Sequence, residues 1–392
     1  MKKSSIKRFL GLFLALAVVL GMTACGGGKE AGGVDGDTIK IGVVCPISGN
    51  SAIAGKYITH GVEVVEEELG GKIKIKDKEY KIEFIYMDNE ASEEKTTNVF
   101  QKLIEEEKVI AIVGPDMSKC ALAGGPIAQK AGCPIVATFA TNTAVTEVGD
   151  YIFRACFIDP FQGKMAAQYI WESGYKTTAV MFNNADAYAT GLTDAFVEAY
   201  EGFGGTVVAK EEYSGSDVKD YNVQLTKLAS SNPECVFFPN LLGELGLQIQ
   251  QARAAGLNCP IVCGDSADTP EVGEVAGAAV ENVAYVSAFS AEATTDAAKS
   301  FVEKYTAMFD GETPNSNAEL AYEATQMVLY ALQNADELTR EGVRDALKNI
   351  EGLELPSGKM SMAEDRNPIK GGVVMQYDAD GVSHYVSSIN PD

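Results

Sequence analysis

Ser118, Thr141, Tyr188 and Asp265 each stand just past an apolar run. After "VIAIVG" (109–114) come Pro115-Asp116-Met117-Ser118, and then a helix-like stretch. A serine at a helix start, with unpaired backbone N–H groups behind it, makes an anion site. After "PIVAT" (134–138) come Phe139-Ala140-Thr141-Asn142, where Thr141 can add a hydroxyl and an N–H to the same anion. "AVMFNNADAYATG" (179–191) sets Tyr188 ahead of a helix, and "PIVCGDSAD" (260–268) sets Asp265 just past a strand. Taken singly, Ser118 and Asp265 serve equally well as helix caps and Thr141 as a turn residue. Together, an anion cradle in one unit and a carboxylate in another match the two poles of an amino-acid zwitterion. Other chemistry finds little support. No HExxH, GxSxG, P-loop or GxGxxG pattern occurs, which argues against an enzyme. Only two histidines exist, His60 and His384. Both are distant from Cys259 and Cys263 of "CPIVC", so neither a zinc site nor any other cofactor is expected.

The elements that must position these residues alternate along the chain. Strand-like "TIKIGVVC", "YKIEFIYMD", "VIAIVG" and "CPIVAT" are separated by helix-like segments, the second of which has Ser92 as its N-cap. Near "YIFR" (151–154) the pattern restarts, with strands "KTTAVMF", "TVVAKEEY", "ECVFFP" and "PIVCGD" again divided by helices. Such alternation predicts parallel sheets covered on both faces, an α/β fold of two doubly wound lobes. In open sheets of this kind ligands bind beyond the carboxyl ends of strands, where all four residues fall. A faint internal echo joins "AQKAGCPIVATFA" (128–140) to "ARAAGLNCPIVCGD" (252–265), each read as the last clear strand of its unit. The remainder predicts a strand at "NVAYVSAF", helices over 295–309, 317–333 and 339–349, and a closing hairpin around Asp378-Ala379-Asp380-Gly381. That DxDG lacks the later glutamate of a calcium loop and reads as a turn.

The first 24 residues have a basic start (Lys2, Lys3, Lys7, Arg8), an apolar stretch from Phe9 to Leu20, and small residues ahead of Cys25, the plan of a secretory signal. Glycine-rich 25–37 reads as a tether. Removing the leader takes away four basic and no acidic residues. The 368 residues left carry 28 basic against 55 acidic side chains, a net charge of −27. Such a surface repels nucleic acid and anionic headgroups. Seven further cysteines cannot all pair within one chain, and most sit in apolar strand-like runs as small buried side chains.

Met22-Thr23-Ala24-Cys25 resembles the lipobox of bacterial lipoproteins, which implies lipidation at Cys25 and attachment to the membrane outside the cytoplasm. Over about its whole mature length, the chain resembles the type I periplasmic binding proteins that serve branched-chain amino-acid ABC transporters. The markers are "IKIGVVCPISG", "AIVGPDMS", "FATNTAVT", "FRACFIDPFQG", "NNADAYATG" and "QARAAGLNCPIVCGDSADTPE". The resemblance implies two lobes joined by a three-strand hinge, lobe 1 from 38–154 with 290–358 and lobe 2 from 155–289 with 359–392. It further implies that Ser118 and Thr141 hold a ligand's α-carboxylate, beside Met117 and Ala140. Phe139 turns a carbonyl toward the ammonium, Asp265 offsets the ammonium charge, and Tyr188 packs over the ligand. The implied partners are a small-molecule ligand, the permease subunits of an importer, and the membrane through the lipid on Cys25; the protein is expected to be a monomer. Two departures bear on the ligand. Ala54 stands where relatives often carry an aromatic residue, and Asp116 stands where an apolar one is common. If it faces the cleft, Asp116 argues for a polar or cationic ligand side chain. No cysteine stands near 88–91 to form the disulfide some relatives have near the cleft. The rival functions are a ligand-sensing lobe that reports to a signalling partner, which no downstream spanning helix supports, and an enzyme on a similar scaffold.

Overall fold

The computed structural model of the chain describes residues 33–215 and 217–391. The expected leader, Cys25 and residues 26–32 of the tether lie outside the described residues. The tether's last residues, read from sequence as unstructured, contain a two-residue strand, β1 (Val34–Asp35), antiparallel to β2 (Thr38–Cys45). Its register, Val34 opposite Ile39, sets the half-buried Val34 side chain against the core.

The first sheet continues with β3 (Lys72–Ile75), β4 (Lys78–Asp88), β5 (Ala111–Val113), β6 (Ile135–Ala137) and β7 (Ile152–Arg154). Its order is β3-β4-β2-β5-β6-β7, with β4, β2, β5, β6 and β7 parallel and β3 an antiparallel edge. The second sheet contains β8 (Thr177–Asn183), β9 (Thr206–Tyr213), β10 (Cys235–Phe238), β11 (Ile261–Cys263) and β12 (Val283–Ser287). After a small separate sheet of β13 (Leu353–Leu355), β14 (Gly358–Met362) and β15 (Pro368–Ile369), the hairpin β16 (Gly372–Tyr377) and β17 (Ser383–Ile389) completes it. The order is β9-β8-β10-β11-β12, then antiparallel β16 and β17.

The two parallel cores have the same winding. In each the first strand lies between the second and third, and the fourth and fifth follow outward. The echo at 128–140 and 252–265 falls on β6 and β11, the fourth strand of each core. Neither is the last, as the sequence suggested, because β7 and β12 extend their sheets. β7 is only three residues long and ends on a charged Arg154, so it carries a weak strand pattern.

Both faces of each sheet are covered, which is why the strands read as short apolar runs. In the first, Ile41 and Val43 pack with Ile58 and Val62, while Val44 and Ile112 pack with Phe100 and Leu103 on the other face. In the second, Val180, Phe237 and Val262 face Ile170 and Phe196, while Met181, Val236 and Phe238 face Leu225, Leu245 and Ile249. The seven described cysteines are unpaired; six are buried and Cys259 is partly so.

The chain passes between the lobes three times. It leaves β7 for the helix Asp159–Glu172, which packs against the helix Ala187–Gly202 and the second sheet. It leaves β12 for helices Asp296–Met308 and Ser316–Asn334, which pack against Ala52–Leu69 of the first lobe. It returns through Lys370 into β16. No described helix is long and apolar enough to cross a membrane.

Candidate functional site

The carboxyl ends of the two sheets face a common cleft between the lobes. On the first lobe β5 runs into Gly114, whose φ of +99° and close approach to the Val44 carbonyl exclude a side chain; an added Cβ would sit 2.2 Å from that oxygen. This turn carries Pro115-Asp116-Met117 across the sheet end into the helix Ser118–Ala131. Met117 has extended backbone angles and no side-chain cap forms, and Ala121 is the first residue whose N–H bonds back, to the Met117 carbonyl. The amides ahead of it have no partner within the helix, the condition for anion binding. Ser118 is buried, and its Oγ accepts a hydrogen bond from the Asn142 amide at 3.2 Å, which ties the helix start to the loop after β6.

That loop is held from behind by Arg154 at the end of β7. The buried guanidinium donates to the carbonyls of Ala140 (2.6 Å) and Asn142 (2.9 Å). Thr141 is fully buried next to Asp159, and its carbonyl accepts from the Asp159 amide. Burial pushes the Asp159 carboxyl up to about 7, opposed by Thr141 and by Arg154. Asn142 also donates from Nδ2 to the Ala187 carbonyl at 2.7 Å, a direct link to the second lobe.

On that lobe Asp186 caps its helix by accepting from the amides of Tyr188 (3.0 Å) and Ala189 (3.1 Å), which fixes Tyr188 at the helix start. The Tyr188 hydroxyl donates to Asp265 Oδ1 at 2.8 Å. Gly264 makes this possible, because a Cβ there would lie 2.2 Å from the tyrosine oxygen. Asp265 follows at the end of β11, only 1% exposed, and its second oxygen, Oδ2, has no hydrogen-bond partner. Burial pushes its carboxyl up to about 7, against the pull of Tyr188 and the neighbouring Gln162 amide.

About 420 Å³ of space lies in the cleft, open solvent included, with about 30 Å³ of it available to the centres of water-sized molecules. Met117, Ser118 and Phe139 line it from one side, Tyr188 and Asp265 from the other. Ala140 and Thr141 are not among the lining residues. Asp116 and Ala54 do face the cleft. Sequence reasoning missed Leu241, Leu242, Ser266 and Asn317, which also line it. Leu241 and Leu242 open the helix after β10, and the rule that found Asp265 past β11 would have found them past "ECVFF". Asn317 comes from the helix that returns to the first lobe, and nothing local in the sequence marks it.

Neither histidine belongs to the site. His60 bonds Tyr305 and Glu312, and His384 bonds Glu292 and Asp378. Among the described residues no group of histidine, cysteine, aspartate and glutamate could hold a metal. Ser118 accepts a hydrogen bond from a backbone amide. The arrangement can grip an anion with amides and a hydroxyl, and a cation with carboxylates.

Two doubly wound lobes, three connections and a cleft with opposite poles define a solute-binding protein. Residues 38–382 match the periplasmic binding protein family, and the chain belongs to it. An amino acid binding protein of Pseudomonas aeruginosa is 27% identical over 354 residues, covering 88% of this chain and 92% of its own. A crystal structure of the leucine binding protein LivK from Thermotoga maritima superposes with a TM-score of 0.85 at 29% identity, covering 90% of this chain and 99% of that one. The branched-chain amino acid transporter substrate binding protein LivJ from Streptococcus pneumoniae, in complex with isoleucine, gives a TM-score of 0.83 at 30% identity, covering 90% and 100%. The fold is the type I form, and the family is one of extracytoplasmic binding proteins of ABC transporters rather than enzymes.

Proposed function

We propose that this protein captures an amino acid in its interlobe cleft and delivers it to the permease of an ABC importer, as a monomeric lipoprotein held at the membrane through Cys25. One observation carries the reading: the open helix start at Ser118 and the unpartnered Oδ2 of Asp265 line the same cleft. A zwitterion satisfies both at once. Ser118 and the amides behind it take the α-carboxylate. Asp265, held by Tyr188, takes the ammonium, to which Phe139 adds its carbonyl. Tyr188 packs over the ligand. Thr141, set back from the lining, supports the loop next to Asp159, and Ala140 offers its carbonyl to Arg154. Lobe 1 comprises 38–154 and 290–369 and lobe 2 comprises 155–289 and 370–392, since the expected boundary at 358 would cut the small sheet of β13, β14 and β15. Ligand that touches both favours the closed form by its differential affinity for it.

Thermal-shift screening of residues 25–392 against amino acids, small amides and organic acids such as benzoate tests this. At least one amino acid should stabilise the protein by RT ln(1 + [L]/Kd), about 2.7 kcal/mol at a hundredfold excess over Kd, and be recovered unchanged. Stabilisation by carboxylic acids lacking an amine, with none by any amino acid, contradicts the reading.

A further inference from the structure

The cleft holds a second carboxylate that a simple zwitterion leaves unused. Asp116 lies two residues before Ser118, beyond the positive-φ turn at Gly114. It is 4% exposed, its Oδ1 has no hydrogen-bond partner, and it lines the cleft together with Ser118, Phe139 and Asp265. Burial pushes its carboxyl up to about 6, opposed by the backbone amides of Asp116 and Met117 and by the charge of Lys119. A carboxylate ahead of a helix start gains from the helix dipole, and that alone can account for a solvent-exposed aspartate. It does not account for this one, which is out of water and facing the ligand space.

The helix start has a second claimant. On the reading proposed above, the ligand's α-carboxylate docks at Ser118, close to the Asp116 side chain. Two anions at one helix start repel, and each raises the cost of charging the other. A ligand with an apolar side chain leaves that repulsion standing and places methyl groups against a buried carboxylate. A ligand with a cation on its side chain removes both costs. It pairs with Asp116, while its α-ammonium pairs with Asp265. Two buried carboxylates then meet two ammonium groups, and the α-carboxylate keeps the helix amides.

We propose that Asp116 is a specificity-determining residue and that the ligand is a diamino monocarboxylic acid, an amino acid with a cationic side chain. Asp116 accepts from the side-chain ammonium. The inference rests on the amino-acid reading of the cleft, and its test separates the two.

The experiment is isothermal titration of the wild type, Asp116→Leu and Asp116→Asn with 2,4-diaminobutyrate, ornithine, lysine, leucine and isoleucine. The wild type should bind at least one diamino acid ten times or more tighter than leucine. Asp116→Leu should weaken that diamino acid tenfold or more and reverse the preference toward leucine. Asp116→Asn keeps the shape and removes the charge, and should fall between the two; it carries the test if the leucine variant does not fold. If amino acids bind but the wild type prefers leucine, or the substitutions leave the ratio unchanged, the assignment of Asp116 is overturned while the amino-acid reading stands. If no amino acid binds the wild type, both fall together.

Discussion

Asp265 and Asp268 are three residues apart, both on the turn after β11 and both out of water, yet they are treated differently. Asp268 is satisfied by the chain itself. Its carboxylate accepts from the Ser316 amide at 2.9 Å, from the Ser316 hydroxyl, from Ser287 Oγ at 2.9 Å and from Tyr285 at 3.1 Å. These partners sit at the end of β12 and the start of the helix Ser316–Asn334, so Asp268 braces one of the three connections. Asp265 receives one hydrogen bond of normal geometry, from Tyr188, with the Gln162 amide nearby, and its buried Oδ2 has no partner. Of this pair, the carboxylate with its donors supplied braces the scaffold, and the one left short lines the cleft.

On the connections a buried cation does part of this work, although Asp159 and Glu319 there also lack hydrogen-bond partners. Lys370, on the third connection, donates to Glu323 at 2.7 Å and to the Ala155 carbonyl of the first at 3.3 Å, and lies 3.9 Å from Glu319. Burial alone would lower the pKa of this ammonium, and the two glutamates raise it instead. Lys370 is therefore a buried countercharge on the connections, whereas Asp116 has only the charge of Lys119 and no cation shifts Asp265.

The largest effect should come from breaking the Lys370 charge cluster. Lys370→Met strands two buried glutamates. It should cost about 3–5 kcal/mol of unfolding free energy in urea, whether or not ligand is present. A loss under about 1 kcal/mol would mean that the connections do not depend on this pairing.

An effect of several kcal/mol, comparable in size with the first, should appear with pH among the carboxyls that lack partners. Asp265 and Asp159 are pushed up to about 7, above the value near 4 of an unfolded carboxyl. A group with a raised folded pKa gives its full stability below the unfolded pKa and loses it as pH rises through the folded one. The ligand-free protein should therefore lose stability between about pH 4 and 7, and amino-acid stabilisation should grow over the same interval. Asp88 and Asp150, held below the ordinary carboxyl value despite partial burial, act only at more acid pH. Melting temperatures at pH 5 and 8, with and without ligand, check this. A ligand-free melting temperature that rises across that interval contradicts the account.

Much of the frame was legible because its signals are local. The apolar runs of β2, β10 and β11 are short because both faces are covered, and the glycine stop at Gly132 and the capping Ser92 mark helix ends. Asp265 and Ser118 were legible by the same logic, since each lies within a few residues of a strand end. What stayed hidden depends on distant partners. Nothing near Asp268 in sequence predicts Ser316, and nothing near Lys370 predicts Glu323. The antiparallel β3 was not among the expected strands, because "KIKI" alternates lysine with isoleucine over only four residues and has no apolar run. Thr141 and Asp159 also show the limit. Both follow strands of the first sheet, yet their side chains lie next to each other, away from the cleft lining.

The central claim is that Asp265 is held short of partners to receive a ligand's ammonium. Asp265→Asn keeps an acceptor for Tyr188 and removes only the charge, so one variant separates binding from folding. Titrated with the amino acid that stabilises the wild type, it should lose about 2–5 kcal/mol of affinity, and its ligand-free melting temperature should equal or exceed that of the wild type. Undiminished affinity, or affinity lost only because the ligand-free variant no longer folds, would contradict the account.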